Sequence, residues 1–150
     1  MKCIKNDSLY NSNIIYIEKL NHRLNLKNND KNYLFIRDRF IKFLKAIMSY
    51  DIDNIQDYGE NIIGFGLGLT PSIDDFISGV MISILYLADY HNLDIEKIYE
   101  FNNKLITKSI NKTTKVSSEM LKHSAKGEVS GGIKQLMITL LSNEDDEKLK

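Results

Sequence analysis

The chain has 150 residues, 43% apolar and 27% charged, with one proline, eight glycines and a single cysteine. Twenty basic residues balance twenty acidic ones, which excludes the net basic face that nucleic-acid binding needs to displace counterions. Collagen-like, disulfide-stapled and disordered classes are excluded as well, and one domain of this length buries about two thirds of its unfolded surface without help from metal or disulfide.

Lone Cys3 has no partner for an intramolecular disulfide, and no basic start leads into an apolar leader, so the expected address is the cytoplasm. In chain order, Leu9, Ile14, Ile15, Ile17, Leu20 and Leu24 lie among asparagines with an ambiguous period, and residues 21 to 32 read as a loop. From 32 to 50, Leu34, Phe40, Ile41, Leu44, Ile47 and Met48 recur at helical spacing between basic residues, which predicts an amphipathic helix. Asp51 or Asp53 is expected to cap a short helix through Ile55 and Tyr58 that stops near Gly59.

Residues 74 to 90 follow a glycine cluster. The apolar stretch from 76 to 88 is interrupted by Ser78, Gly79 and Ser83 and is shorter than the roughly 20 residues a bilayer requires, so no membrane span is predicted. On a helical wheel its apolar side chains point in nearly every direction, the mark of a helix surrounded by others, and Gly79 with Ser83 would admit a neighbouring backbone. Asp94 caps a further predicted helix to about Ile110. Another covers 116 to 126, with Ser117 and Ser118 placed to cap its start and Gly127 to end it in the left-handed conformation. A last helix, 132 to 142, carries Ile133, Leu136, Met137, Leu140 and Leu141. The prediction is an all-α, single-domain bundle, residues 1 to 150, around a buried central helix at about 74 to 90 preceded by a Gly-rich loop.

That loop carries the chemistry. It reads Gly64, Phe65, Gly66, Leu67, Gly68, Leu69, Thr70, Pro71, Ser72, Ile73, Asp74, Asp75, Phe76, and it holds three of the eight glycines and the only proline. Glycines at every second position permit positive φ and leave amides uncovered. The helix start is expected to use Thr70 as N-cap with Pro71 at N1, or Ser72 as N-cap with Asp75 reaching back. A helix N-terminus with unpaired N–H groups attracts phosphate or carboxylate. Two aspartates already sit in that field, so divided roles are expected, with Asp75 turned to the Ser72 cap and Asp74 left available for a hydroxyl, an amide or a Mg²⁺-type cation. No Gly-Lys-Ser/Thr follows the glycines, so the loop is not a phosphate-binding P-loop, and the dinucleotide fingerprint needs a different spacing. The same residues also describe a tight loop and a well-capped core helix with no ligand at all.

Residues 62 to 79 resemble the pattern Leu-Ile-Gly-x-Gly-x-Gly-Leu-Thr-Pro-Ser-Gly-Asp-Asp-Phe-x-x-Gly of a bacterial domain-of-unknown-function family, that of the AllH-type subunit of oxamate carbamoyltransferase in anaerobic allantoin and purine breakdown. Thr114, Ser117, Leu121, Ala125, Gly127, Glu128, Val129 and Ser130 are similar to its second, weaker block. Ile73 stands where the pattern has glycine and Leu67 where proline is frequent. The resemblance covers about 33 to 149 and implies a shortened member. It implies conversion of oxalurate and phosphate to oxamate and carbamoyl phosphate. Gly64, Gly66, Gly68, Thr70 and Ser72 would hold a small anion, and Asp74 and Asp75, the candidate catalytic residues, would position an amide or Mg²⁺. Other carbamoyltransferase subunits or a second copy of the chain would be the protein partners. The alternative is a non-catalytic helical interaction module in which the loop is purely structural.

Among the remaining side chains, Glu119 and His123 lie four apart on one predicted helix face, a spacing shared by metal or acid/base pairs and by ordinary exposed neighbours. Ser117 beside them is a weak candidate that capping also explains. Met81, Met120 and Met137 read as core filler.

Overall fold

A computed structural model describes residues 31–142, so the N-terminal readings at Cys3, at 9 to 24 and at 21 to 30 lie outside the described residues. Six helices follow one another without a strand among those residues: α1 (Lys31–Ser49), α2 (Ile55–Glu60), α3 (Ser72–Tyr90), α4 (Ile95–Thr107), α5 (Lys115–Ala125) and α6 (Gly131–Ser142). The all-α expectation therefore holds, and each predicted helix is present within a few residues of its expected bounds.

α3 packs against α4, α5 and α6, while α2 bridges α1 and α4. One apolar core joins Phe43 of α1, Ile55 of α2, Ile62 of the turn after α2, Ile77 and Met81 of α3, Phe101 and Leu105 of α4, and Leu121 and Ala125 of α5. The inner side of α3 follows from the sequence pattern, since Ile77, Met81, Leu85 and Ala88 repeat at three and four residues, the last two packing with Ile98 of α4 in a second, smaller cluster. Tyr50, at φ 51°, ends α1 in the left-handed region and stacks its ring on Phe101 at 4.8 Å.

α3 is not enclosed on all sides. Asp75, Phe76, Gly79 and Leu87 are exposed, so the all-round apolar pattern does not translate into all-round burial. A Cβ on Gly79 would meet nothing within 4 Å, and no neighbouring backbone uses the Gly79–Ser83 pair. The close approach is made one residue earlier, where the buried hydroxyls of Ser78 on α3 and Ser124 on α5 lie 2.6 Å apart. Wheel angle alone does not reveal which small residue meets a neighbour, because that depends on where α5 crosses.

Gly59 sits inside α2, which runs on to Glu60 and is closed by Asn61, so the helix stops near Gly59 as expected although Gly59 itself is not the cap. Its role is steric: a Cβ there would lie 2.8 Å from Leu105 Cδ1 and still closer to the Leu105 carbonyl oxygen. The cap also differs, since Asp51 accepts from the Asn54 backbone N–H at 3.2 Å, ahead of the helix. Gly59→Ala must push α2 off α4, and it is expected to destabilise the protein by about 1–3 kcal/mol, measured by urea unfolding against the wild type.

Candidate functional site

The chain between α2 and α3 makes the Gly-rich loop, and positive φ is needed at three points: Gly64 (84°), Gly66 (134°) and Gly68 (100°). At Gly64 a Cβ would stand 2.7 Å from the Lys112 carbonyl oxygen, and at Gly66 one would stand 2.5 Å from the Ser72 nitrogen. Both positions require glycine on steric as well as conformational grounds. Gly68 has open space around it, and only its backbone angle favours glycine.

The loop is pinned at each end. Asp74 is fully buried, and its Oδ1 accepts from the Gly64 backbone N–H at 2.7 Å. Its Oδ2 accepts from the hydroxyls of Thr113 and Ser117, each at 2.5 Å. Further along, the Leu69 carbonyl accepts from the Thr114 hydroxyl. Thr114 is also the N-cap of α5, accepting from the Ser117 N–H at 3.1 Å. One carboxylate thus gathers the loop, the start of α3, and the turn that opens α5. Its place in the first turn of α3 is favourable for a negative charge.

This geometry reverses the roles expected of the two aspartates. Asp74 has both oxygens engaged and no exposure, whereas Asp75 is exposed and makes no cap to Ser72. Neither proposed cap forms, because Pro71 occupies the N-cap position of α3 and no side chain bonds there. Instead the Ile73 N–H donates to the Phe65 carbonyl at 3.2 Å, and the Asp74 and Asp75 N–H groups donate to the Pro71 carbonyl. Ile73 lies in regular helix, so its β-branched side chain meets no positive-φ demand.

The donor set does not fit Mg²⁺ at Asp74. A metal would have to displace an amide and two hydroxyls from one buried carboxylate, and no group of three metal-ligating side chains occurs among the described residues.

What the loop leaves open is main chain. Among the described residues, the N–H groups of Gly66, Leu67, Gly68, Leu69, Thr70 and Ser72 make no backbone hydrogen bond. Gly66, Leu67, Gly68 and Leu69 are exposed, Leu67 at 95%, and Thr70 is partly buried. Among the described residues Gly66 and Gly68 thus keep amides without a backbone partner, while the Gly64 amide is consumed by Asp74.

Ser117 belongs to this site as an anchor of Asp74, not as a cap. Thr113 belongs to it equally and escaped the sequence reading, although the hydroxyl pair Thr113–Thr114 just ahead of Val116 is a helix-start signal. Glu119 and His123 are not brought together. Glu119 pairs with Lys122 at 2.7 Å, and His123 Nδ1 pairs with Glu128 across the end of α5, where Gly127 at φ 72° makes the expected left-handed stop.

The family described as oxamate carbamoyltransferase subunit AllH matches residues 62–150, which contain the loop, the Asp74 anchor and both of its hydroxyl donors. The chain belongs to this family. The match begins at Ile62, immediately before the glycines, so the part of the fold built around Asp74 is the part this AllH-family chain shares with its relatives. No curated protein and no solved structure matches the chain.

Two outcomes follow. Asp74→Ala strands an amide and two hydroxyls in a buried place and is expected to cost about 3 kcal/mol or more, while Asp75→Asn should stay within about 0.5 kcal/mol, both read from urea unfolding. Glu128 is held below its ordinary value of 4.5, chiefly by its bond to His123. A carboxyl depressed in the folded state contributes stability above its unfolded value and loses it as the pH falls through the folded one. Glu128→Gln should therefore lower the melting temperature near neutral pH and converge with the wild type in acid.

Proposed function

We propose that this AllH-family chain is a subunit of an oxamate carbamoyltransferase assembly and holds a small anion, phosphate or carbamoyl phosphate, on the amides of residues 66–70 and Ser72. One observation carries the reading: these six N–H groups have no backbone partner among the described residues, and they lie on or next to a loop fixed at Gly64 and Leu69 by bonds to Asp74 and Thr114. A preorganised array of donors binds an anion without reorganisation at the moment of reaction. The glycines keep side chains out of the way, and the start of α3 adds the favourable end of a helix dipole.

The reaction that the family's description suggests is transfer of a carbamoyl group between oxamate and phosphate. In the direction of oxalurate breakdown, a phosphate oxygen forms a bond to the ureido carbon, the bond from that carbon to the oxamate nitrogen breaks, and the nitrogen takes up a proton. No covalent protein intermediate is required, since positioning and charge stabilisation lower the barrier. Asp74 is a positioning residue here, acting through the loop, and exposed Asp75 and the Thr70 and Ser72 hydroxyls are the side chains beside the open amides.

A subunit needs a surface for its partner. α6 buries none of its residues, and Ile133, Leu136 and Leu140 form an exposed apolar stripe on it. We place the contact with another carbamoyltransferase subunit on this stripe. The same two observations, a loop tied down by Asp74 and an uncovered helix, favour the scaffold reading if the loop amides turn out to bind nothing.

Titrating the ¹⁵N-labelled protein with phosphate and with carbamoyl phosphate separates the readings. Saturable shifts of the 66–70 amides at roughly millimolar ligand, weakened about tenfold by Gly68→Ala or Thr70→Ala, are expected. Absence of any shift at those amides would leave only the scaffold.

A further inference from the structure

α1 and α3 leave a furrow between their outer sides. The Phe40 ring of α1 meets the Phe76 ring of α3 edge to face at 5.1 Å, and Tyr50 at the end of α1 packs against the cluster of Leu85 and Ala88. The two helices therefore run side by side in the same direction, with the Phe40–Phe76 contact on the floor between them. On the α3 flank a groove of about 400 Å³ is lined by Asp75, Phe76, Gly79, Val80, Ser83 and Ile84, and exposed Leu87 continues it one turn further. Gly79 has open space where a Cβ would point, so this wall is low in its middle.

On the α1 flank, Ile41, Leu44 and Met48 recur at three and four residues and stand outside the core cluster. At 100° per residue they lie on the side of Phe40 away from core-facing Phe43. Gly79 and Ser83 likewise lie on the side of Phe76 away from core-facing Ile77, in the opposite rotational sense. For two parallel neighbours that makes both flanks open to the same side.

A third helix laid in this furrow would meet apolar side chains on both walls, and the chain itself carries a matching segment. Thirty residues precede α1. Of the two periods that residues 9–24 allow, the helical one puts Tyr10, Ile14, Ile17, Leu20 and Leu24 within about 120° of one another. From Ile14 to Leu24 such a helix is about 15 Å long, against about 17 Å from Phe76 to Leu87. Lys31 lies about 14 Å along α1 before Phe40, and the seven residue steps from Leu24 to Lys31 span up to about 24 Å. Leu24 can therefore return to Phe76, and the segment then runs antiparallel to α3. That direction brings Arg23 and Lys27 beside Asp75, the one charged residue lining the groove.

We infer that residues 10–24 of this chain lie as a helix in the furrow between α1 and α3 and complete the bundle. The apolar faces of both walls and of the segment are then buried against one another, and the basic end of the segment meets the acidic end of the groove. A second copy of the chain is the competing occupant.

The test places a nitroxide on His91→Cys in a Cys3→Ser background of the full chain, and follows the backbone amides of the ¹⁵N-labelled protein. His91 is exposed just past the end of α3, at the end of the furrow far from Lys31. Expected is broadening of the amides of 10–17 that exceeds the broadening of 20–24. Mixing nitroxide-bearing chain of natural isotope content with ¹⁵N-labelled chain that carries no nitroxide should leave all of these signals sharp. Val80→Glu on the α3 wall and Ile17→Glu with Leu20→Glu on the segment should each remove the broadening. The segment variant leaves the described core untouched, so it decides the matter even if Val80→Glu fails to fold. The proposal is overturned if 10–17 stay sharp, if 20–24 broaden more than 10–17, if the segment variant changes nothing, or if the mixed sample broadens, which would assign the furrow to a second copy. None of these signals depends on whether the 66–70 amides bind an anion.

Discussion

A buried carboxylate with three donors organises this protein. Asp74 sits where α3 begins, and its bonds to Gly64, Thr113 and Ser117 tie together three segments that are distant in sequence. Burying a charge is costly unless it is fully hydrogen-bonded. Its full complement of partners therefore couples the parts, because a shift in any one leaves a donor or a charge unsatisfied. The loop cannot move without disturbing the start of α5, and α5 cannot move without disturbing the loop.

That coupling explains why the glycines fall where they do. Gly64 must bring its amide to Asp74 while passing close to the Lys112 carbonyl, and Gly66 must pass over the Ser72 nitrogen. Backbone conformation and clearance are both at their limits there, and any side chain would break one of them. Gly68 is under no such crowding. Its bareness concerns what can approach from outside, which is why the anion reading rests on the far end of the loop and not on Gly64.

The surface divides similarly. Lysines that pair with a carboxylate along or between helices are ordinary exposed ion pairs, each worth little to stability. α6 stands out by contrast with α3: both are apolar, yet one supplies the centre of the core and the other buries nothing. The difference lies in what packs against them, not in their composition.

The helices, their order and the special nature of residues 64–76 were legible in the sequence, because apolar spacing, proline and glycine act locally through the backbone. Asp94 opens its helix and Gly127 closes its own as their types dictate, for the same reason. The roles of Asp74 and Asp75 were not legible. Adjacent helical residues point about 100° apart, so one turned inward and the other outward, and only the position of α5 decided which. Thr113 and Ser117 became anchors, and Glu119 lost His123 to Glu128, through contacts that form only once the helices have packed. Local chemistry set what each segment becomes, and the burial of one charge, which needs donors from across the fold, set which residues face one another.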